Sequence, residues 1–105
     1  METCDKYSLY IGLNDKDTLE QMMPTKRFIK IISKICKSQN IGFSIKSMNG
    51  GYIHNSGIYT FENSIELSIF GVTKEQIMTL AKKLKKIFNQ ESIIVIKEKV
   101  ETSFV

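Results

Sequence analysis

Few residues in this chain have the type and spacing to do chemistry, and most of the spacings exclude it. His54 is the only histidine, with no second histidine and no cysteine pair near it. A zinc site and a histidine acid–base pair therefore lack partners, and His54 reads as an exposed hairpin residue. Glu62 and Glu66 share a strand face, but four strand residues hold them roughly 13 Å apart, beyond the spacing of paired catalytic carboxylates. Gly50-Gly51 is followed by neither a lysine nor a helix, so it is a turn or bulge rather than a phosphate loop. Ser92 follows Glu91 with no base at hand. Cys4 and Cys36 lack CxxC spacing and are expected as reduced thiols. No catalytic residue, metal or cofactor is expected, and the domain reads as non-enzymatic.

The elements that would position these residues are legible from periodicity. Tyr7, Leu9, Ile11 and Leu13 alternate with Ser8, Tyr10 and Gly12, which predicts a half-buried strand over Lys6 to Leu13. Asn14 to Met23 is a polar connection. Thr25 is the expected N-cap of a helix to Gln39, whose apolar stripe is Phe28, Ile31, Ile32, Ile35 and Cys36. A second strand begins at Gly42, is disturbed by a bulge at Gly50-Gly51, and reverses at Asn55 to Gly57. The third strand places Tyr59, Phe61, Ile65, Leu67 and Ile69 on one face, with Asn63 the polar intruder. Thr73 to Gln76 is a capping box, and Ile77, Leu80, Ala81, Leu84, Ile87 and Phe88 form the stripe of a second helix. A last strand follows Ser92. The order β-α-β-β-α-β predicts one α+β domain over residues 1–105. It is the ferredoxin-like arrangement, a four-stranded antiparallel sheet with two helices on one face.

Charge divides along these elements. The two helical spans hold ten bases, Lys26, Arg27, Lys30, Lys34, Lys37, Lys74, Lys82, Lys83, Lys85 and Lys86, against Glu75 alone, a net of +9. The remainder holds five bases and ten acids, a net of −5. Like charges four residues apart on a helix cost a few tenths of a kcal/mol each. Such a face suits a polyanion, and the bland alternative is a solvated lysine surface. The longest aliphatic run, Ile93 to Ile96, is too short to span a bilayer, and the acidic N-terminus is unlike a signal peptide. A cytoplasmic protein is expected.

Leu9 to Asn14 looks like the opening strand of an RNA-recognition motif, with Tyr10 on the open side of the sheet. The open-side residues of the third strand are Thr60, Glu62, Ser64, Glu66 and Ser68, where that motif needs a basic residue, glycine and aromatics. Two carboxylates beside a phosphate path repel it. An acylphosphatase of similar topology is also excluded, because Asn14 to Met23 has no glycine and Arg27 falls within the helix.

Three segments together resemble a family of short bacterial ferredoxin-like proteins known as a domain of unknown function. Gly42-Phe43-Ser44 resembles its glycine–hydrophobe–threonine segment, and Glu62-Asn63-Ser64 its glutamate-x-serine. Phe88 to Ile93 is similar to its phenylalanine-x-glutamine-glutamate-serine-valine junction. Tyr52 stands where a tryptophan is usual. The resemblance lends no activity, but implies a ligand-binding polar cluster of Glu62, Gln90, Glu91 and Ser92, beside which Tyr10 is placed.

These residues point to a binding domain for an anionic partner: an acidic protein surface, nucleic acid or a phosphorylated ligand. The partner-binding face is Lys26, Arg27, Lys30, Lys34, Lys37, Lys82, Lys83, Lys85 and Lys86, and the open sheet suits a homodimer. One alternative is a phage or mobile-element inhibitor of a host defence or nucleic-acid machine. Another is a protein that binds or hydrolyses a small phosphorylated ligand through Glu62 and Gln90 to Ser92.

Overall fold

The computed structural model describes all residues from Met1 to Val105. Its elements are β1 (Glu2–Gly12), α1 (Thr25–Ser38), β2 (Ser44–Ile53), β3 (Tyr59–Phe70), α2 (Lys74–Ile87) and β4 (Ile94–Thr102). The strands form one antiparallel sheet in the order β2-β3-β1-β4, the expected ferredoxin-like topology. β1 begins earlier than its alternation suggests, because Glu2 to Asp5 pair with β4 while staying at least partly exposed.

The core forms between the sheet and the helices. Tyr7, Leu9 and Ile11 of β1 and Ile65, Leu67 and Ile69 of β3 meet Phe28, Ile32 and Cys36 of α1 and Ile77, Leu80, Ala81 and Leu84 of α2. Phe28 and Phe88 close one end edge to face, with centroids 4.9 Å apart. Burial pushes the Cys36 thiol above its ordinary range. No helix is long and apolar enough to cross a membrane.

Two local expectations are corrected. The N-cap of α1 is Pro24, with φ −61° and ψ 147°, rather than Thr25. Proline's fixed φ already sets the helix entry, and the Thr25 hydroxyl instead accepts from Gln21 Nε2 at 3.1 Å. There is no bulge at Gly50-Gly51, since pairing runs without a slip from Ser44↔Ser68 to Ile53↔Tyr59. The glycines make room for rings: a Cβ on Gly51 would meet the Tyr59 hydroxyl, and one on Gly50 would lie 3.2 Å from the Tyr52 ring. Tyr59 and Phe61 share the face of Ile65 but are 57% and 83% exposed. This half of the β2–β3 hairpin is left uncovered by the helices, in a molecule 45 Å long.

The opposite sheet face carries the even-numbered residues of β1 and β3. Tyr10 lies there, paired with Glu66 on one side and Ile94 on the other. The expected capping box of α2 is present, with Thr73 Oγ1 accepting from Gln76 N and Gln76 Oε1 accepting from Thr73 N.

Candidate functional site

Tyr10, Glu62, Gln90, Glu91 and Ser92 all line one recess of about 70 Å³ at the end of the sheet. They come from β1, β3 and the α2–β4 connection. β1 leaves the sheet after Gly12, and the ladder ends with Leu13 N donating to Asn63 O. The next amide, Asn14 N, donates at 2.8 Å to Glu62 Oε2. The Glu62 carboxylate thus closes the frayed corner, lying flat across Gly12. A Cβ on Gly12 would come within 2.7 Å of Glu62 Oε1.

Gln90 reaches the same corner from below. α2 ends as Asn89 turns to a left-handed φ of 48°. Gln90 is then buried, and its Nε2 donates to Asn14 O at 2.7 Å and Phe88 O at 3.3 Å. Asn89 also grips the connection after β1: its Nδ2 donates to Asp15 Oδ2 at 2.9 Å and Asp17 Oδ2 at 2.8 Å. That bond, with the Thr18 and Asp17 amides on the other oxygen, holds the Asp15 carboxyl below its ordinary value.

Glu91 crosses to the hairpin. Its carboxylate accepts from Asn55 N at 3.1 and 3.2 Å and lies 3.3 Å from His54 Nδ1. His54 Nε2 is 2.8 Å from Thr60 Oγ1. A ring protonated at Nδ1 donates to Glu91 and accepts from the Thr60 hydroxyl, satisfying both nitrogens. The expectation of an exposed His54 is corrected: it is 8% exposed. The turn folds back under it, with His54 N donating to Ile58 O and Gly57 N to His54 O. Ser92 stands exposed on the rim. The Tyr10 phenol is raised above its ordinary value, first by the neighbouring Glu66 carboxylate, then by desolvation and the charge of Glu98.

Gly12, Asn14, Lys16, Tyr52 and His54 also line the recess but were not among the expected site residues. Alternation carries a signal for two of them: Tyr52 and His54 are in phase with Thr60 and Glu62 across the hairpin. A second depression, of about 480 Å³, shares Asn14 and Glu62 with the recess and extends along Asn49 to Gly51.

The nine predicted partner-binding cations lie elsewhere. Lys26, Arg27, Lys30, Lys34, Lys37, Lys82, Lys83, Lys85 and Lys86 are all exposed on the helices. None enters an ion pair; the lysines that do are Lys46, Lys97 and Lys99 on the sheet.

Solved structures of known proteins share this architecture. A phage SAM lyase in complex with S-methyl-5'-thioadenosine matches with a TM-score of 0.76 at 28% identity, over 91% of this chain and 81% of that one. A phage SAM lyase in its apo state matches with a TM-score of 0.71 at 26% identity, over 94% and 86%. GlnK of B. subtilis, complexed with ATP, matches with a TM-score of 0.60 over 93% and 82%. At 10% identity that last likeness shows the fold alone. No protein-family model matches the sequence, and no curated protein does.

The expectation of a non-enzymatic domain is overturned by the match to SAM lyase, an enzyme, along nearly the whole chain. The physical reason is that paired carboxylates were sought along one strand, as Glu62 and Glu66. Glu62 and Glu91, which line one recess, come from different elements.

Proposed function

We propose that this protein is a lyase acting on S-adenosylmethionine, with its reaction centre at the recess between Glu62 and Glu91. The observation that carries the reading is the match to SAM lyase at 28% identity over 91% of the chain. The convergence of Tyr10, Glu62, Gln90 and Glu91 on one recess supports it independently.

The chemistry suits these residues. S-methyl-5'-thioadenosine is what S-adenosylmethionine leaves when the bond between sulfonium sulfur and the amino-acid chain breaks. The bonding pair departs on sulfur, so the leaving group is a neutral thioether that needs no general acid. The carbon left behind closes onto its own carboxylate oxygen, or loses a neighbouring proton to a base and forms a double bond. Neither route consumes water, as a lyase requires. What the protein must supply is a seat for the cationic substrate, orientation of the reacting groups and, on the second route, a carboxylate to take the proton. Glu62 and Glu91 supply the carboxylates, each seated on a main-chain amide. Gln90 acts as a positioning residue that ties the α2–β4 connection to Asn14.

The recess of about 70 Å³ falls well short of the roughly 300 Å³ at which small-molecule pockets begin. The neighbouring depression that shares Glu62 would take the remainder of the ligand. A second copy, docked on the open sheet face, would wall the recess from the side of Tyr10 and Ile94. The ligand in this reading is a small cationic nucleoside rather than a phosphorylated one. Consumption of S-adenosylmethionine would also withdraw the methyl donor from host methylation, which suits an inhibitor of a host nucleic-acid machine.

The test is to incubate the protein with S-adenosylmethionine and separate the products. S-methyl-5'-thioadenosine should accumulate, and Glu62→Gln and Glu91→Gln should each slow it by about a hundredfold or more. The reading fails if the wild-type protein releases no S-methyl-5'-thioadenosine and is not stabilised against heat by it.

A further inference from the structure

The helical layer holds a charge pattern that the reaction site does not use. On α1, Lys26, Arg27, Lys30, Lys34 and Lys37 occupy one sector, opposite the buried Phe28, Ile32 and Cys36. On α2, Lys82, Lys83 and Lys86 lie opposite Ile77, Leu80, Ala81 and Leu84, with Lys85 on the flank. All are exposed, and no acid of the chain pairs with any of them. At the C-terminal end of α2, Lys82, Lys85 and Lys86 meet Lys16 around a depression of about 320 Å³ with no apolar lining residue.

We infer that this layer is a nucleic-acid-binding surface that grips the phosphodiester backbone, with the four-lysine depression as its anchor. Two observations favour phosphate over an acidic protein. The anchor has no apolar residue to desolvate, whereas protein hot spots are built on buried aromatic and aliphatic anchors. The exposed sectors of both helices are also almost wholly cationic, with Glu75 at the start of α2 the one acid, which suits a uniformly charged backbone. The dimensions agree. A 14-residue helix is about 21 Å long, and duplex DNA carries a charge every ~1.7 Å of axis. That length spans about twelve charges, of which about half would face the layer. Binding would be independent of sequence, because the layer offers lysines rather than the bidentate side chains that read base edges. Bases would not stack on the sheet, where Glu62, Glu66 and Glu98 share the face with Tyr10.

This proposal stands apart from the lyase reading, and its test uses no catalysis. Fluorescent duplex DNA and single-stranded RNA, each about 20 nucleotides long, are titrated with the full chain between about 50 and 200 mM salt. Affinity should fall by about a thousandfold across that range. The combined variant Lys82→Gln, Lys83→Gln, Lys85→Gln, Lys86→Gln should bind at least tenfold more weakly at low salt and lower the salt slope by about three. Lys26→Gln, Arg27→Gln, Lys30→Gln, Lys34→Gln should act alike, so that the result does not hang on one helix. Thermal melting checks that both variants fold. A preference for duplex or for single strand names the source of the phosphates, and either supports the surface. No binding at low salt, unchanged binding by both folded variants, or tighter binding of polyglutamate than of either nucleic acid would overturn it, the last by assigning the layer to an acidic protein.

Discussion

Gly12 shows how much one missing atom can matter at the recess proposed as the reaction centre. Its Cα leaves the space in which the Glu62 carboxylate lies, and a methyl group there would collide with the far end of that side chain. A flexible terminus can swing away at little cost to folding, but it then abandons the Asn14 amide. Gly12→Ala should therefore lower S-adenosylmethionine cleavage by tenfold or more, because displacements of about 1 Å are that costly to catalysis. Its melting temperature should stay within about 4 °C of the parent. Retained turnover would show that Glu62 does not act from this seat. The sequence grouped Glu62, Gln90 and Glu91 through the resemblance of short segments, and the three do line one recess. His54 was not legible there, because its partner Glu91 lies 37 positions away and is delivered by the end of a helix. A lone histidine has no local signature for such a neighbour. Asn14 was equally hidden, since its part is played by its main chain, which any residue type shares.

At the scale of elements, the connection after β1 is the piece that positions the corner, and Asp15 is its rivet. Its carboxyl is held below its ordinary value chiefly by Asn89, then by the Thr18 and Asp17 amides. A depressed carboxyl stabilises the fold above its unfolded value, and that contribution is lost as pH falls through the folded value. The melting gap between the parent and Asp15→Asn should thus be widest near pH 6 and narrow below about pH 4. A gap that widened with acid would mean that Asp15 does not hold the connection. Elements themselves were readable wherever a period met a cover. The alternation in β1 and the stripes of both helices named most of the core residues, because helices do lie over Leu9, Ile65 and Leu67, while Ile87 of the second stripe is left exposed. The same alternation put Tyr59 and Phe61 on the face of Ile65 but could not show that they lie exposed, since it gives the face of a strand and not how far the helices reach along it. Gly50-Gly51 misled for a related reason: the rings that fill the glycines' space come from Tyr52 and Tyr59, not from a change in pairing.

For the whole molecule, the two sides of the sheet have different fates. One is roofed by helices, and the other leaves Phe70, Ile94 and Ile96 between 39% and 51% exposed. Ile94 also lines the small recess, so a second copy covering this face would add a wall to it. Light scattering should find more than one copy per particle. Ile94→Glu with Ile96→Glu should yield folded single copies that have lost most of their turnover. A wild type that scatters as one copy at every concentration, with full activity, would show that the recess needs no second chain.

The enclosed sulfur of Cys36 has a practical consequence. It is wholly shielded, and its proton is held by the apolar surroundings, whereas Cys4 near the first strand's start is only half covered. A maleimide can react with the deeper thiol only after α1 has lifted off the sheet. The pace of that second labelling event is a clock for opening, already built into the native chain and readable without any engineered cysteine.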